Sequence, residues 1–185
     1  MKEFKTIKNF IFDCDGVLYA DLEKVFGQVS KRMTKYISKK LKVDLKKAKK
    51  LQTNYFHKYN TSLNGLMVHH KIDPREFLEY VHDINLNFLE KDLVLREALL
   101  KLNAKKIVFT NGSNDHVINI TKHLGIDDLF DGSFDIVDCN FIPKPAIEPY
   151  EKLAKKFNIN PKAVSYTHLR AHETEADLVC RLLLE

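Results

Sequence analysis

The period of the hydrophobic pattern changes several times along the chain. A β-rich run from about Ile7 ends in Phe10-Ile11-Phe12, as in a strand buried on both faces of a parallel sheet, and stops abruptly at Asp13-Cys14-Asp15-Gly16. From Leu22 to about Leu102 the period becomes helical. Leu22, Val25, Phe26, Val29, Met33, Tyr36 and Ile37 lie on one stripe and predict a long amphipathic helix. Asp44 is placed to cap a second helix. Asp73-Pro74-Arg75-Glu76 joins an N-cap, a proline at the first helical position and an acid in the first turn, and Asp92 starts a further helix through Leu95, Leu99 and Leu102. Lys105 to Phe109 returns to a β-rich run, closed by Thr110-Asn111-Gly112-Ser113. A helix carrying Val117, Ile120 and Leu124 stops at Gly125, and a short strand is predicted at Phe134 to Val137. Pro143-Lys144-Pro145 then leads into a helix through Tyr150, Leu153 and Phe157, ended by Asn160-Pro161.

The alternation of strands and helices after Leu102 predicts an α/β fold: a Rossmann-like parallel sheet with covering helices and a helical insertion between its first two strands. The chain has 185 residues, enough for one such core and a modest insertion. No segment approaches the roughly 20 apolar residues that span a bilayer, and the N-terminus lacks a signal-type apolar region, so no membrane partner and a cytoplasmic location are expected. Cys14, Cys139 and Cys180 show no CxxC spacing and suggest neither a zinc site nor a disulfide framework.

The net charge of +5 is concentrated in Lys39 to Lys50, read as one helical stretch. Leu41, Leu45, Ala48 and Leu51 recur between the lysines at helical spacing, which makes most of the charge a solvated face, and no aromatic platform interleaves with it. Nucleic acid is therefore not the expected partner, although such a face can draw in small anions. His57, His69, His70, His82, His116 and His123 fall on different elements and read as structural.

The polar residues that end the strands carry the chemistry. Asp13 and Asp15 follow the first strand, Thr110-Asn111-Gly112 the second, and Lys144 the third, so a parallel sheet gathers them at one edge. One carboxylate can attack phosphorus and a second can protonate the departing alcohol and then activate water. Hydroxyl, backbone N–H and ammonium groups can hold phosphoryl oxygens. Two carboxylates facing a phosphate repel one another, and a magnesium ion would offset that repulsion.

With DxD, a hydrophobic strand ending in Thr-Asn-Gly, and a distant Lys-Pro in this order, the chain resembles the haloacid dehalogenase-like hydrolase superfamily through about Ala163. Within it, FIFDCDGVLY, the stretch YFHKYNTSLNGLMVHHKIDPREFLEYVHDI, IVFTNGS and FIPKP look most like the bacterial pyrimidine 5′-nucleotidases. The resemblance implies a core of residues 1–18 and 90–163 with a helical cap at 19–89. It implies Asp13 as nucleophile and magnesium ligand, and Asp15 as general acid/base that also lends its backbone carbonyl to the metal. Thr110 and Lys144 would act on the phosphoryl group, with Asn111 and Gly112 assisting. Tyr55, Tyr59, Thr61 and Asn64 are candidates to touch a nucleoside. Asp15 favours phosphatase over dehalogenase chemistry, because family dehalogenases lack that carboxylate. The expected substrate is a small phosphorylated metabolite such as a nucleoside monophosphate. The alternatives are a sugar phosphate, phosphoglycolate, or a fragment without catalysis. Oligomeric state is not legible.

Relatives continue into a last strand ending in an acidic motif that holds the metal. Here the chain reads VSYTHLRAHETEADLVCRLLLE, in which Glu173, Glu175 and Asp177 follow no β-rich run. Val164 to Thr174 resembles the translation of a transposase-type sequencing adapter, and Asp177 to Glu185 that of flow-cell sequence. Residues 164–185 are accordingly set aside as a non-native tail and the core is read as truncated.

Overall fold

The computed structural model describes residues 7–160 and 164–167. Four parallel strands form one sheet in the order β3-β2-β1-β4: β1 (Asn9–Phe12), β2 (Lys105–Phe109), β3 (Gly132–Phe134) and β4 (Val164–Thr167). Every residue of β1 is buried, as a strand covered on both sides requires. Alternate side chains serve the two faces. Phe10, Phe12 and Val108 pack with Val117, Ile120 and Leu124 of α6 (Asn114–Leu124) and Leu99 of α5 (Leu93–Leu100). Ile11, Ile107, Phe109 and Phe134 pack with Leu153 of α7 (Ile147–Phe157).

Between β1 and β2 lie α1 (Leu22–Leu41), α2 (Leu45–Tyr59), α3 (Ser62–His70) and α4 (Pro74–His82). The starts of α2, α3 and α4 are fixed by side-chain caps. Asp44 accepts from Lys47 N, Thr61 from Asn64 N, and Asp73 from Arg75 N and Glu76 N. Val29, Ile37, Leu66, Phe77 and Val81 form the centre of this block, and Ile136 from the far side of the sheet joins them, so the insertion is seated on the core. The α2–α3 contact is close. A Cβ at Gly65 would lie 2.4 Å from Tyr55 Cβ, so glycine is what lets the two helices approach. Among the described residues no helix is long and apolar enough to cross a membrane.

Four local expectations change. Lys39 to Lys50 is broken at Lys42, whose φ of 52° ends α1, and Leu45 is exposed instead of sharing a buried stripe. The third strand ends at Phe134, because Asp135 Oδ1 accepts from Val137 N and Asp138 N, both at 2.9 Å, and folds Phe134 to Val137 into a turn. The last helix stops at Phe157 on a left-handed Asn158. Val164–Thr167, set aside as tail, is a strand: Asn9 lies opposite Val164 and Phe12 opposite Thr167. The acidic residues Glu173, Glu175 and Asp177, and the helical pattern around them, lie outside the described residues.

Leu66 has no exposed surface, whereas Leu93 is 67% exposed. Leu66→Ala is expected to lower the unfolding free energy by about 2–5 kcal/mol, and Leu93→Ala to stay within about 0.5 kcal/mol of the unaltered chain. Urea unfolding followed by circular dichroism measures both.

Candidate active site

The hydrogen-bonded register of β1 and β2, with Phe12 opposite Val108, brings the turn after each strand to the same edge of the sheet. After β1 the chain turns through Gly16, whose φ of 73° a side chain would strain. Val17 N and Leu18 N both reach back to Cys14 O. Asp13 and Asp15 therefore face the edge, while Cys14 follows Phe10 and Phe12 into the core. Burial, then the neighbouring Asp15 and Asp13 charges, push the Cys14 thiol well up, so it stays protonated. Cys14 Sγ, an Asp15 oxygen and a His116 ring nitrogen lie within 4.8 Å of one another.

Asp13 Oδ1 accepts from Cys14 N at 2.8 Å and lies 3.0 Å from Lys144 Nζ. That ammonium also donates to Phe109 O at 2.9 Å. The loop carrying Lys144 is tied down by Asn111: its Oδ1 accepts from Lys144 N at 2.8 Å and its Nδ2 donates to Lys144 O at 3.2 Å. Thr110, nearly inaccessible, donates its N–H to Phe134 O, and its hydroxyl oxygen accepts from Gly112 N at 2.9 Å. The Thr110 O–H proton is thereby left to donate elsewhere. A Cβ on Gly112 would come within 3.3 Å of that hydroxyl.

Asp15 Oδ1 receives two side-chain contacts, from Tyr19 Oη at 2.5 Å and from His116 Nε2 at 2.9 Å. Burial pushes Asp15 upward, but the His116 hydrogen bond and charge and the Tyr19 hydroxyl outweigh it and hold the carboxyl below its usual value. Tyr19 is pushed up by burial and by Asp15, so it remains a donor. His82, at the end of α4, stacks on His116 with centroids 4.5 Å apart, and its Nδ1 pairs with Ser113 Oγ at 2.8 Å.

These groups form one end of a cavity of about 380 Å³ that runs into the helical insertion. Asp13, Asp15, Thr110, Asn111, Gly112 and Lys144 line it together. Phe26, Met33, Phe56 and Phe77 supply apolar wall, and Lys49 and Gln52 supply polar wall. Gln52 is buried and held by Thr34 Oγ1 and Ser30 Oγ at 2.7 and 3.0 Å.

Of the residues expected to meet a nucleoside, Thr61 lines the cavity and Tyr55 does not. Tyr55 stacks on His69 and pairs with His70 Nε2 at 2.7 Å, over Gly65; its helical spacing marks a packing surface. Tyr59 and Asn64 are likewise outside the lining, Asn64 Nδ2 being engaged by Tyr59 O. Tyr19, His82 and His116 were not singled out by spacing. His116 sits in the first turn of α6, three residues after its cap Ser113, and that capping signal was the available clue to its position.

A family model described as haloacid dehalogenase-like hydrolase matches residues 7–166. Phosphate metabolism protein 8 of Saccharomyces cerevisiae is 34% identical over 137 residues, covering 68% of this chain. The chain spans only 42% of the length of that relative. Among solved structures, a HAD family enzyme from Bacteroides thetaiotaomicron is similar with a TM-score of 0.57 and 16% identity, over 96% of this chain and 90% of that one. A predicted phosphoglycolate phosphatase from Haemophilus somnus gives 0.55 and 21%, over 88% of this chain and 76% of that one. At these identities the two structures establish the fold.

Burial, and secondarily His116, lower the His82 pKa from 6.5 to about 3. The unfolded chain therefore takes up this proton first as pH falls. The stability contribution is full above about 6.5 and is lost progressively toward about 3. His82→Gln is expected to flatten the fall of the urea midpoint between these pH values, and an unchanged slope would contradict the assignment.

Proposed function

The chain belongs to the haloacid dehalogenase-like hydrolase family, and we propose that it hydrolyses phosphomonoesters, pyrimidine nucleoside monophosphates in particular, through an aspartyl-phosphate on Asp13. The observation that carries this reading is the pairing of Asp13 with Lys144 at 3.0 Å, at the end of a cavity that also presents Asp15 and the Thr110 hydroxyl. A carboxylate beside an ammonium is ready to attack a phosphorus whose oxygens that ammonium and hydroxyl also hold.

In the first step an Asp13 oxygen forms a bond to phosphorus as the ester P–O bond breaks, and the leaving oxygen takes a proton from Asp15. In the second step water attacks the same phosphorus, passes a proton to Asp15, and the Asp13–phosphorus bond breaks to release phosphate. Asp15 is ionised at rest, and a phosphate dianion placed beside it raises its pKa, so the proton is taken up with the substrate. Asn111 acts by holding the Lys144 backbone, more than by contact with substrate.

Magnesium fits the donor set, because Asp13 and the Asp15 carbonyl are hard oxygen ligands at the end of the cavity where two carboxylates meet. Asp13 and Asp15 would hold it, and when bound it supplies charge neutralisation and orientation of the phosphate. The final acidic motif that adds a metal ligand in relatives is read as lost in this sequence, and residues 168–185, where it would follow the last strand, lie outside the described residues.

The helical insertion, residues 19–89, acts in this reading as a cap that excludes water and selects the leaving group. Its apolar wall, Phe26, Met33, Phe56 and Phe77, suits a nucleobase better than glycolate or a sugar.

Phosphate release from UMP, CMP and glucose 6-phosphate, each with and without magnesium, tests the proposal. Magnesium-dependent release from UMP and CMP is expected, with Asp13→Asn lowering it at least about 1,000-fold while circular dichroism is unchanged. Preference for the sugar phosphate would overturn the nucleotide assignment, and no release from any of the three by a folded chain would overturn the enzymatic one.

A further inference from the structure

Two donors from different parts of the chain converge on a single oxygen of Asp15. Tyr19 lies in the turn after β1 and His116 on α6, and both meet Oδ1, at 2.5 and 2.9 Å. An ionised carboxylate accepts only, so His116 Nε2 carries a proton in this contact. The other nitrogen, Nδ1, is buried and has no hydrogen-bond partner among the described residues. A ring placed only for packing would be turned to satisfy that nitrogen. This one leaves it unpaired and keeps the contact with Asp15. His82 closes the opposite face of the ring, 4.5 Å away and inclined by 19°, and is tethered to Ser113, the cap of the helix that carries His116.

We infer that His116 is a positioning residue for Asp15: with Tyr19 it fixes the carboxylate through Oδ1 and leaves Oδ2 to exchange the proton with the leaving alcohol and then with water. His82 comes from α4 in the helical insertion, so the clamp is complete only when that helix is seated against α6. The inference rests on the phosphomonoesterase reading for its chemistry, but not for its geometry.

p-Nitrophenyl phosphate separates this role from a structural one, because p-nitrophenolate departs without being protonated while water must still be activated by Asp15. In His116→Ala the first, stoichiometric release of p-nitrophenolate is expected at close to the unaltered rate. Later turnovers should fall about 10- to 100-fold, with KM falling alongside so that kcat/KM is kept. His116→Gln, which returns an N–H donor near the Nε2 position, is expected to restore turnover to within about threefold. Equal loss of the first and later turnovers, or no rescue by glutamine, would overturn the inference.

Crystal structures of both variants without metal or substrate give a readout independent of activity. Asp15 should swing away from Tyr19 in His116→Ala and stay in His116→Gln; an unmoved carboxylate in His116→Ala sinks the inference. If the unaltered chain releases no phosphate, the phosphomonoesterase reading fails, and the position of Asp15 still decides this one. Should His116→Ala not fold, Tyr19→Phe, which removes the other bond to the same oxygen, is read by the same two measurements.

Discussion

The parallel register of β1 against β2 is the constraint on which the site depends. Because Phe12 lies opposite Val108, the turn carrying Asp13 and Asp15 leaves the sheet beside the turn carrying Thr110. A one-residue slip would send Phe10 and Phe12 to the other face and turn the carboxylates into the core. The register is held by burial on both sides, α5 and α6 against one face and α7 against the other, so the same apolar packing that makes the fold also aims its acids. Asp13 then finds Lys144, which arrives from beyond β3 and which no local interaction could have brought there.

The helical insertion adds what the sheet edge lacks. The edge alone would be an open shelf of charged groups in water, where each electrostatic contact is weak. With α1, α2 and α4 over it, that shelf becomes the end of a partly covered cavity with a largely apolar wall. The insertion reaches the chemical end at two points. Ile136 shares its core, and His82 stacks on His116. Movement of the helices is thus mechanically connected to the environment of Asp15.

Several element ends are legible in the sequence because they carry their own local signal. The apolar run before Asp13, the Asp44 and Asp73 caps and the glycine stop at Gly125 all appear where expected. What was not legible depends on partners distant in sequence. His116 and Asp15 are 101 residues apart, and nothing in either neighbourhood marks the pair. Tyr55 has the residue type of a nucleobase contact but lies outside the cavity lining, packed over Gly65 and against His69 and His70. Asn111 lines the cavity as its place beside Thr110 suggests, and its two amide atoms also bond the Lys144 backbone, a link that the sequence does not show. β4 illustrates a different limit. Edge pairing is made by main-chain groups, so a short β-capable segment beside β1 can complete the sheet whatever the origin of its side chains.

The reciprocal bonds between Asn111 and Lys144 have a thermodynamic consequence. A lysine on a free loop would lose backbone freedom when it closed on a phosphate, and that loss would weaken binding in the ground state and at the transition state alike. Here the ordering is accomplished during folding, by an amide that belongs to the strand end itself. What remains to be ordered is a four-carbon stem whose ammonium already lies over the Phe109 ring, 4.8 Å from its centroid. The charge is preorganised, and association draws on little further entropy.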